Sequence, residues 1–325
     1  MVSFPTIEEI NDAAERIQPY IHRTPVFTSK TIDHLCGRRI YFKAENLQKV
    51  GAFKVRGATN AVFSLLDNQL KGGIKSVKAV ATHSSGNHAA ALAYAASCGA
   101  IKAYVVMPEN APEVKKAAVA GYGADITFCE STQQSREDTL ASIIEQTGAV
   151  FIHPYNDYRV ITGQATAARE LLEQVPELDA ILAPVGGGGL LSGTALSAAA
   201  LKPGTAVFGA EPEGADDAYR SLQAKKIIPI TNPQTIADGL RTSLGDLTFP
   251  IIQRYVKDIL TVSDTDIINA MRLIWERMKL IIEPSAAVPI AAILTKKDRI
   301  KGNKIGLIVS GGNVDLEKLP WLKRN

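Results

Sequence analysis

Ala180-Ile181-Leu182-Ala183-Pro184-Val185-Gly186-Gly187-Gly188-Gly189-Leu190 reads as a strand that stops on four glycines and restarts as a helix. A short apolar run bounded by glycine signals a buried strand. The small-residue stretch from Leu190 to Leu201 predicts the helix. Four glycines in a row cost backbone entropy. They allow several N–H groups to approach one anion at a helix start, a cradle suited to phosphate. No Gly-Lys-Ser/Thr follows, so this is not a Walker loop. The register fails Gly-x-Gly-x-x-Gly at Leu191 and Ser192, so a dinucleotide is not expected either.

The same unit repeats outward in both directions. Upstream, strands are predicted at Val77 to Ala81, Ala103 to Met107, Ile126 to Cys129 and Val150 to His153. Helices fall between them at Gly86 to Cys98, Pro112 to Ala120 and Arg136 to Thr147, and again at Gly163 to Gln174. Downstream come a strand at Ala206 to Ala210, a helix capped by Ser263 and a strand at Ile305 to Val309. Such β–α alternation implies an α/β fold of parallel sheets with helices on both faces. A first helix over Thr6 to Tyr20 has Thr6 and Glu9 as a capping box.

A chain of 325 residues suggests about two domains. At 46% hydrophobic it has ample core, and a net charge of +3 gives no reason to expect nucleic acid or a membrane surface as partner. Cys36, Cys98 and Cys129 have no C-x-x-C spacing, which predicts buried thiols in a reducing compartment, the cytoplasm. The opening residues lack a basic-then-apolar signal. Trp275 and Trp321 are expected to pack, and His83 and His88 to be structural.

Three further stretches carry chemistry. In Gly51-Ala52-Phe53-Lys54-Val55-Arg56-Gly57-Ala58, a lysine between glycines and apolar residues is a candidate for a lowered pKa. A neutral amine there could form a Schiff base with an aldehyde. His83-Ser84-Ser85-Gly86-Asn87-His88 follows a strand and opens a helix, which suits a carboxylate. Ser310-Gly311-Gly312-Asn313 puts a hydroxyl at the C-terminal end of the last strand, where open α/β sheets bind ligands. An aldehyde, a phosphate and a ring nitrogen occur together in pyridoxal phosphate.

On these residues the chain resembles the fold-type II pyridoxal-phosphate family of serine and threonine dehydratases (tryptophan synthase β-like), and within it the racemase branch. The likeness extends over Arg136, Glu211-Pro212, Ala215 to Asp217, Thr235 to Gly239 and Arg277 to Pro284. It implies that Lys54 holds the cofactor and acts as base on one face of the substrate, with Ser85 as acid/base on the other. It implies that Asn87 meets the cofactor's phenolic oxygen, that Gly186, Gly187, Gly188, Gly189 and Leu190 hold its phosphate, and that Ser310 faces its pyridine nitrogen. Ser84, Ser85, Arg136 and Thr242 are the implied substrate residues. Glu211, Ala215 and Asp217 would bind Mg²⁺ or Ca²⁺. An activating ATP site would use Ser29, Lys30, Thr31, Lys49 and Lys279; Lys30, Thr31 and Val50 depart from the family's pattern.

The implied activity is interconversion of L- and D-serine with elimination to pyruvate and ammonia, in a homodimer. The alternative is a dehydratase only, acting on L-serine, L-threonine or 3-hydroxyaspartate. The expected division is a large cofactor domain, 1–76 with 151–325, and a small mobile domain, 77–150.

Overall fold

The computed structural model describes residues 3–72, 76–84, 86–111 and 113–322. The chain runs α1 (Ile7–Ile17), β1 (Val26–Phe27), α2 (Lys30–Cys36), β2 (Arg39–Ala44), α3 (Lys54–Leu70) and β3 (Ala79–His83). Next come α4 (Asn87–Cys98), β4 (Lys102–Pro108), α5 (Glu113–Gly121), β5 (Asp125–Cys129), α6 (Gln133–Thr147) and β6 (Val150–Phe151). Then follow α7 (Tyr158–Gln174), β7 (Ala180–Pro184), α8 (Gly189–Leu201), β8 (Ala206–Pro212), α9 (Asp217–Ala224) and α10 (Thr248–Tyr255). The last elements are β9 (Asp258–Val262), α11 (Asp264–Met278), α12 (Pro284–Thr295) and β10 (Lys304–Val309).

One sheet has six strands in the order β1-β2-β10-β7-β8-β9, the other four in the order β5-β4-β3-β6. Neighbouring strands are parallel except β1 and β2, which pair antiparallel, a departure from the all-parallel expectation. A two-residue edge strand has no periodicity to read. The large sheet is buried on both faces, as parallel sheets are. Ala180 and Leu182 of β7 face α11 and α12, and Ile181 and Ala183 face α7 and α8, alternating as a strand must. Each large aliphatic side chain buried this way contributes roughly 1.5–3 kcal/mol.

α12 gave no clear sequence signal because Pro289 stands inside it. It is nonetheless buried almost end to end, and packing outweighs the lost hydrogen bond. α7 begins at Tyr158, five residues before the expected start, capped by Asp157. The Thr6/Glu9 box caps α1 as expected. Trp275 and Trp321 pack edge to face at 5.3 Å. Cys36 and Cys129 are buried, but Cys98, the last residue of α4, is exposed, contrary to expectation.

α7 is the strut that fixes the site. A Cβ on Gly163 would lie 2.5 Å from the Arg56 carbonyl oxygen, so α3 crosses α7 in backbone contact. A Cβ on Gly193 would lie 2.6 Å from the Ala165 nitrogen, so α8 does the same on α7. The start of α3 is also clamped by charge. The fully buried Arg56 donates to both oxygens of Glu45 at 2.7 and 2.9 Å, to both of Glu170 at 2.8 and 2.9 Å, and to Thr166 at 3.1 Å. Lys43 donates to Glu170 at 2.6 Å and Thr24 to Glu45 at 2.6 Å. Two cations and two carboxylates thus neutralise one another beneath Lys54. The opposite face of α3 (Val55, Ala58, Val62 and Leu65) shares a core with Val80, Leu92 and Ala95 of the smaller sheet's layer.

Candidate active site

The Lys54 loop is tied to the end of β10. Gly51 sits at φ +69°, and a Cβ there would strike the Asn313 side chain at 2.5 Å. Ala52 bridges Gly311, the Phe53 N–H donates to the Ser310 carbonyl at 3.0 Å, and the Gly312 N–H donates to the Gly51 carbonyl at 2.9 Å. This stitching brings Lys54, first residue of α3, beside the buried Ser310. Lys54 Nζ donates to the Pro154 carbonyl at 2.8 Å. Burial brings its amine down to about 8, against the opposing pull of Glu283. An appreciable fraction is therefore neutral and nucleophilic near neutral pH.

The four glycines each stand where a side chain cannot. A Cβ on Gly186 would lie 2.9 Å from Leu240, on Gly187 2.3 Å from the Tyr155 ring, on Gly188 2.8 Å from Leu244, and on Gly189 3.0 Å from Tyr155. Gly188 has φ +88°, and α8 starts on it with no side-chain cap. Thr248 Oγ1 donates to the Gly187 carbonyl at 2.9 Å. The uncapped N–H groups of a 13-residue helix, in a cradle that any Cβ would fill, fit a phosphate.

The smaller lobe supplies the facing wall. Ser84 N–H donates to the Val106 carbonyl at 3.1 Å, and the Gly86 N–H to Ser84 Oγ at 3.3 Å. Asn87 opens α4; its Nδ2 reaches Glu283 at 2.9 and 3.2 Å, and its Oδ1 accepts from Asn313 Nδ2 at 2.9 Å. Ser85 lies outside the described residues. Arg136 on α6 has a buried Nε without a partner among the described residues, and its charge helps burial to lower the pKa of His83. That orphaned donor fits a carboxylate. Thr242 is exposed, with Oγ1 3.2 Å from where a Cβ on Gly186 would stand, so it overhangs the glycine loop.

Glu211 is the penultimate residue of β8, Ala215 lies in the following 3₁₀ turn and Asp217 opens α9. Both carboxylates are buried, at 0% and 1% exposure, which rules out a solvated acidic loop. Glu211 accepts from the Tyr219 N–H at 2.6 Å and the Ala218 N–H at 3.3 Å. Asp217 Oδ2 has no partner among the described residues. Burial pushes Glu211 well above the usual carboxylate range and Asp217 up to about 7. Two buried acids and an orphaned oxygen fit a hard divalent cation. No cluster of three or more His, Cys, Asp or Glu is found among the described residues, so the Ala215 carbonyl would have to supplement the two acids.

Ser29 caps α2, with Lys30 and Thr31 in its first turn; Lys49 lies in a 3₁₀ turn; Lys279 ends α11 in the left-handed region and donates to the Glu276 carbonyl. No hydrogen bond among the described residues joins Ser29, Lys30 or Thr31 to Lys49 or Lys279, or Lys49 to Lys279.

Three neighbours of Lys54 were not singled out from sequence. His153 accepts from the Asn156 N–H at 2.9 Å through Nδ1, and burial with the nearby His83 and Lys54 charges takes it down to about 4. It is therefore neutral, with its proton on Nε2. Tyr155 covers the glycine loop and packs on His153 at 4.6 Å. Glu283 stands at the cap position of α12 but makes no cap bond, its carboxylate turned into the cleft. The position of His153-Pro154-Tyr155 just beyond a strand end was the available signal. His88 is buried, its Nε2 on the Ile152 carbonyl at 3.2 Å, and burial keeps it neutral.

A family model described as "Pyridoxal-phosphate dependent enzyme" matches residues 17–311. The chain is 53% identical over 317 residues to the beta-hydroxyaspartate dehydratase of Paracoccus denitrificans (strain Pd 1222), covering 98% of this chain and 99% of that protein. It is 52% identical over 318 residues to the serine racemase of Dictyostelium discoideum, covering 97% and 96%. The solved structure of maize serine racemase matches with TM-score 0.93 at 48% identity, covering 97% of this chain and 95% of that one.

Proposed function

The chain belongs to the family of pyridoxal-phosphate dependent enzymes, and from that premise we propose that it interconverts L- and D-serine and also eliminates serine to pyruvate and ammonia. The observation that carries the reading is Lys54 Nζ, its pKa lowered to about 8, at the base of a cleft between the glycine cradle and Asn87.

Pyridoxal phosphate, when bound, supplies an electron sink for the electrons left at the substrate α-carbon. The start of α8 with Gly186, Gly187, Gly188, Gly189 and Leu190 holds its phosphate. Ser310, buried just beyond β10, would be the residue held toward its ring nitrogen; a neutral hydroxyl there opposes the ring's unprotonated form less strongly than a carboxylate would, the chemistry on which elimination can accompany racemisation. Ser84 and Arg136 hold the substrate carboxylate, with Thr242 closing over it. Lys54 takes the α-proton on one face and Ser85 returns one on the other. Racemisation needs both groups, elimination only the first.

In D₂O, wild-type protein with L-serine should give α-deuterated D-serine together with pyruvate. Ser85→Ala should lower D-serine formation by about 10²-fold or more, the scale of a lost acid/base group, while pyruvate persists. Undiminished racemisation in Ser85→Ala, or pyruvate alone from wild type, would show the two-face reading to be wrong. The second reading is elimination from 3-hydroxyaspartate. It is favoured by the relative at 53% identity and by the unpartnered Arg136 Nε, which could meet a second carboxylate. The same assay with that substrate decides between them.

The cation proposed at Glu211, Ala215 and Asp217 is Mg²⁺ or Ca²⁺. Adding Mg²⁺ to chelator-treated protein at a hundredfold over its dissociation constant should stabilise it by ~2.7 kcal/mol. Asp217→Asn should abolish the thermal shift, and a wild type that does not respond excludes the site.

The proposed partner is a second copy of this chain. Leu47 and Ile281, 46% and 51% exposed, lie on segments joined by the Asn46–Ile281 hydrogen bond. Lys49 and Lys279 flank that patch, so a triphosphate such as ATP would bind where the copies meet. Equilibrium sedimentation reads the dimer. No helix among the described residues is long and apolar enough to cross a membrane. The proposed location is the cytoplasm, supported by an exposed free thiol at Cys98. We place the moving body at 77–150; among the polar pairs that cross to the rest are Asn87–Glu283, Asn87–Asn313, Lys115–Asp238 and Tyr94–Tyr20.

A further inference from the structure

We propose that Glu283 is a positioning residue that fixes the side-chain amide of Asn87, so that Asn87 presents an N–H, and not its carbonyl, to the cofactor's phenolic oxygen. This rests on the cofactor reading given under Proposed function and goes beyond it by assigning work to a residue of the larger lobe.

An asparagine amide is nearly symmetric in shape, and only its partners decide which end is nitrogen. Here both ends are decided. A carboxylate accepts and cannot donate when ionised. Glu283 therefore selects Nδ2, with Oε1 at 2.9 Å and Oε2 at 3.2 Å. At the other end Asn313 donates Nδ2 to Asn87 Oδ1 at 2.9 Å. Asn313 is itself oriented, because its Nδ2 also donates to the Val50 carbonyl at 2.7 Å, an oxygen that can only accept. The chain of assignments runs from two groups of fixed polarity and agrees at Asn87.

The amide of Asn87 is then accounted for atom by atom. Its oxygen is taken by Asn313. The two hydrogens on Nδ2 point about 120° apart by sp² geometry, and the two oxygens of one carboxylate lie on one side, so they share one hydrogen. One N–H remains. It belongs to the first residue of α4, and in this proposal it is the donor left for the phenolic oxygen. A donor at the phenolic oxygen favours the unprotonated phenolate, the form that absorbs at long wavelength.

Glu283 is built for this and not for capping. It occupies the cap position of α12 yet makes no cap bond. Glu283 is 5% exposed, and its carboxylate is held close by backbone, since a Cβ on Gly311 would lie 2.7 Å from Oε1. The charged groups that face it are Asp238 and Lys115, themselves paired, and Lys54. Burial and the Asp238 charge push its carboxyl up to about 7, and Asn87 and Lys115 pull the other way. At pH 8 it is mostly ionised and accepts.

The test is a double-mutant cycle read by absorbance of the cofactor-loaded proteins at pH 8. Glu283→Leu and Asn87→Ala should each lower the ratio of the band near ~410–420 nm to the shorter-wavelength band. The expected fall is about tenfold, the size of one hydrogen bond to an ionised group. The double variant should be no lower than Asn87→Ala alone. Glu283→Gln keeps the size and one acceptor but loses the charge, and should fall between wild type and Glu283→Leu. If Glu283→Leu does not fold, Glu283→Gln carries the cycle. An unchanged spectrum in a folded Glu283 variant, or a loss that adds in full on the Asn87→Ala background, overturns the proposal. Borohydride reduction followed by peptide mass analysis separates the two readings. No adduct on Lys54 in wild type sinks the cofactor reading and this proposal with it, whereas an adduct with a spectrum indifferent to Glu283 sinks this proposal alone.

Discussion

Lys54→Ala protein, mixed with pyridoxal phosphate, should lack the band near ~410–420 nm and should leave no borohydride-stable adduct at position 54. Racemisation and elimination should fall together, by ~10⁴-fold or more, because the same side chain is both the attachment point and the base on one face. The two activities need Ser85 differently, but both begin with proton removal. A split between them in Lys54→Ala would therefore contradict the assignment. The structure makes this variant a clean one. Lys54 is the first residue of α3 and, among the described residues, its amine bonds the Pro154 carbonyl alone, so truncation removes one donor and leaves the helix start intact. Thermal stability without cofactor should change little, and the loss should appear in chemistry and colour.

Arg56→Met should do the reverse, costing about 3–5 kcal/mol of stability by leaving two buried carboxylates without their shared cation. The guanidinium satisfies Glu45 and Glu170 in fork geometry and Thr166 besides. Lys43 remains on Glu170, but among the described side chains Glu45 keeps only the Thr24 hydroxyl. Arg56→Lys should recover part of the loss, since an ammonium cannot chelate two carboxylates at once. The measurement is a urea midpoint at fixed cofactor occupancy, with the slope checked for a change in the unfolding transition. A loss below about 1 kcal/mol would mean that the cluster breaks even against an apolar core, as buried ion networks can. Because Arg56 is two residues beyond Lys54, cofactor occupancy should also drop in Arg56→Met.

Much of the fold was legible because its signals are local. β7, the glycines and α8 sit within a residue of their expected bounds, since an apolar run ended by four glycines permits little else. The Thr6/Glu9 capping box and the Ser263 cap hold because their hydrogen bonds span three residues, and the structure adds Asp266 to the second. What misled was equally local: Pro289 hid α12, Gly163 hid the start of α7, and β1 was too short to show a period.

The sequence by itself determined the α/β architecture, the lysine, the glycine cradle and the strand-end hydroxyl, because spacing and residue type over ten or so positions specify them. Tertiary structure alone decided which groups share an environment. Asn87 meets Glu283 across 196 positions and Asn313 across 226, and Arg56 meets Glu170 across 114. Such pairings depend on how helices cross and sheets stack, and no periodicity encodes them. Burial is decided there as well. Nothing local to Glu211 and Asp217 says that they are desolvated, and in three dimensions both are buried with raised pKa values. Desolvation is a property of everything packed around a group, and a sequence window contains only a small part of that packing.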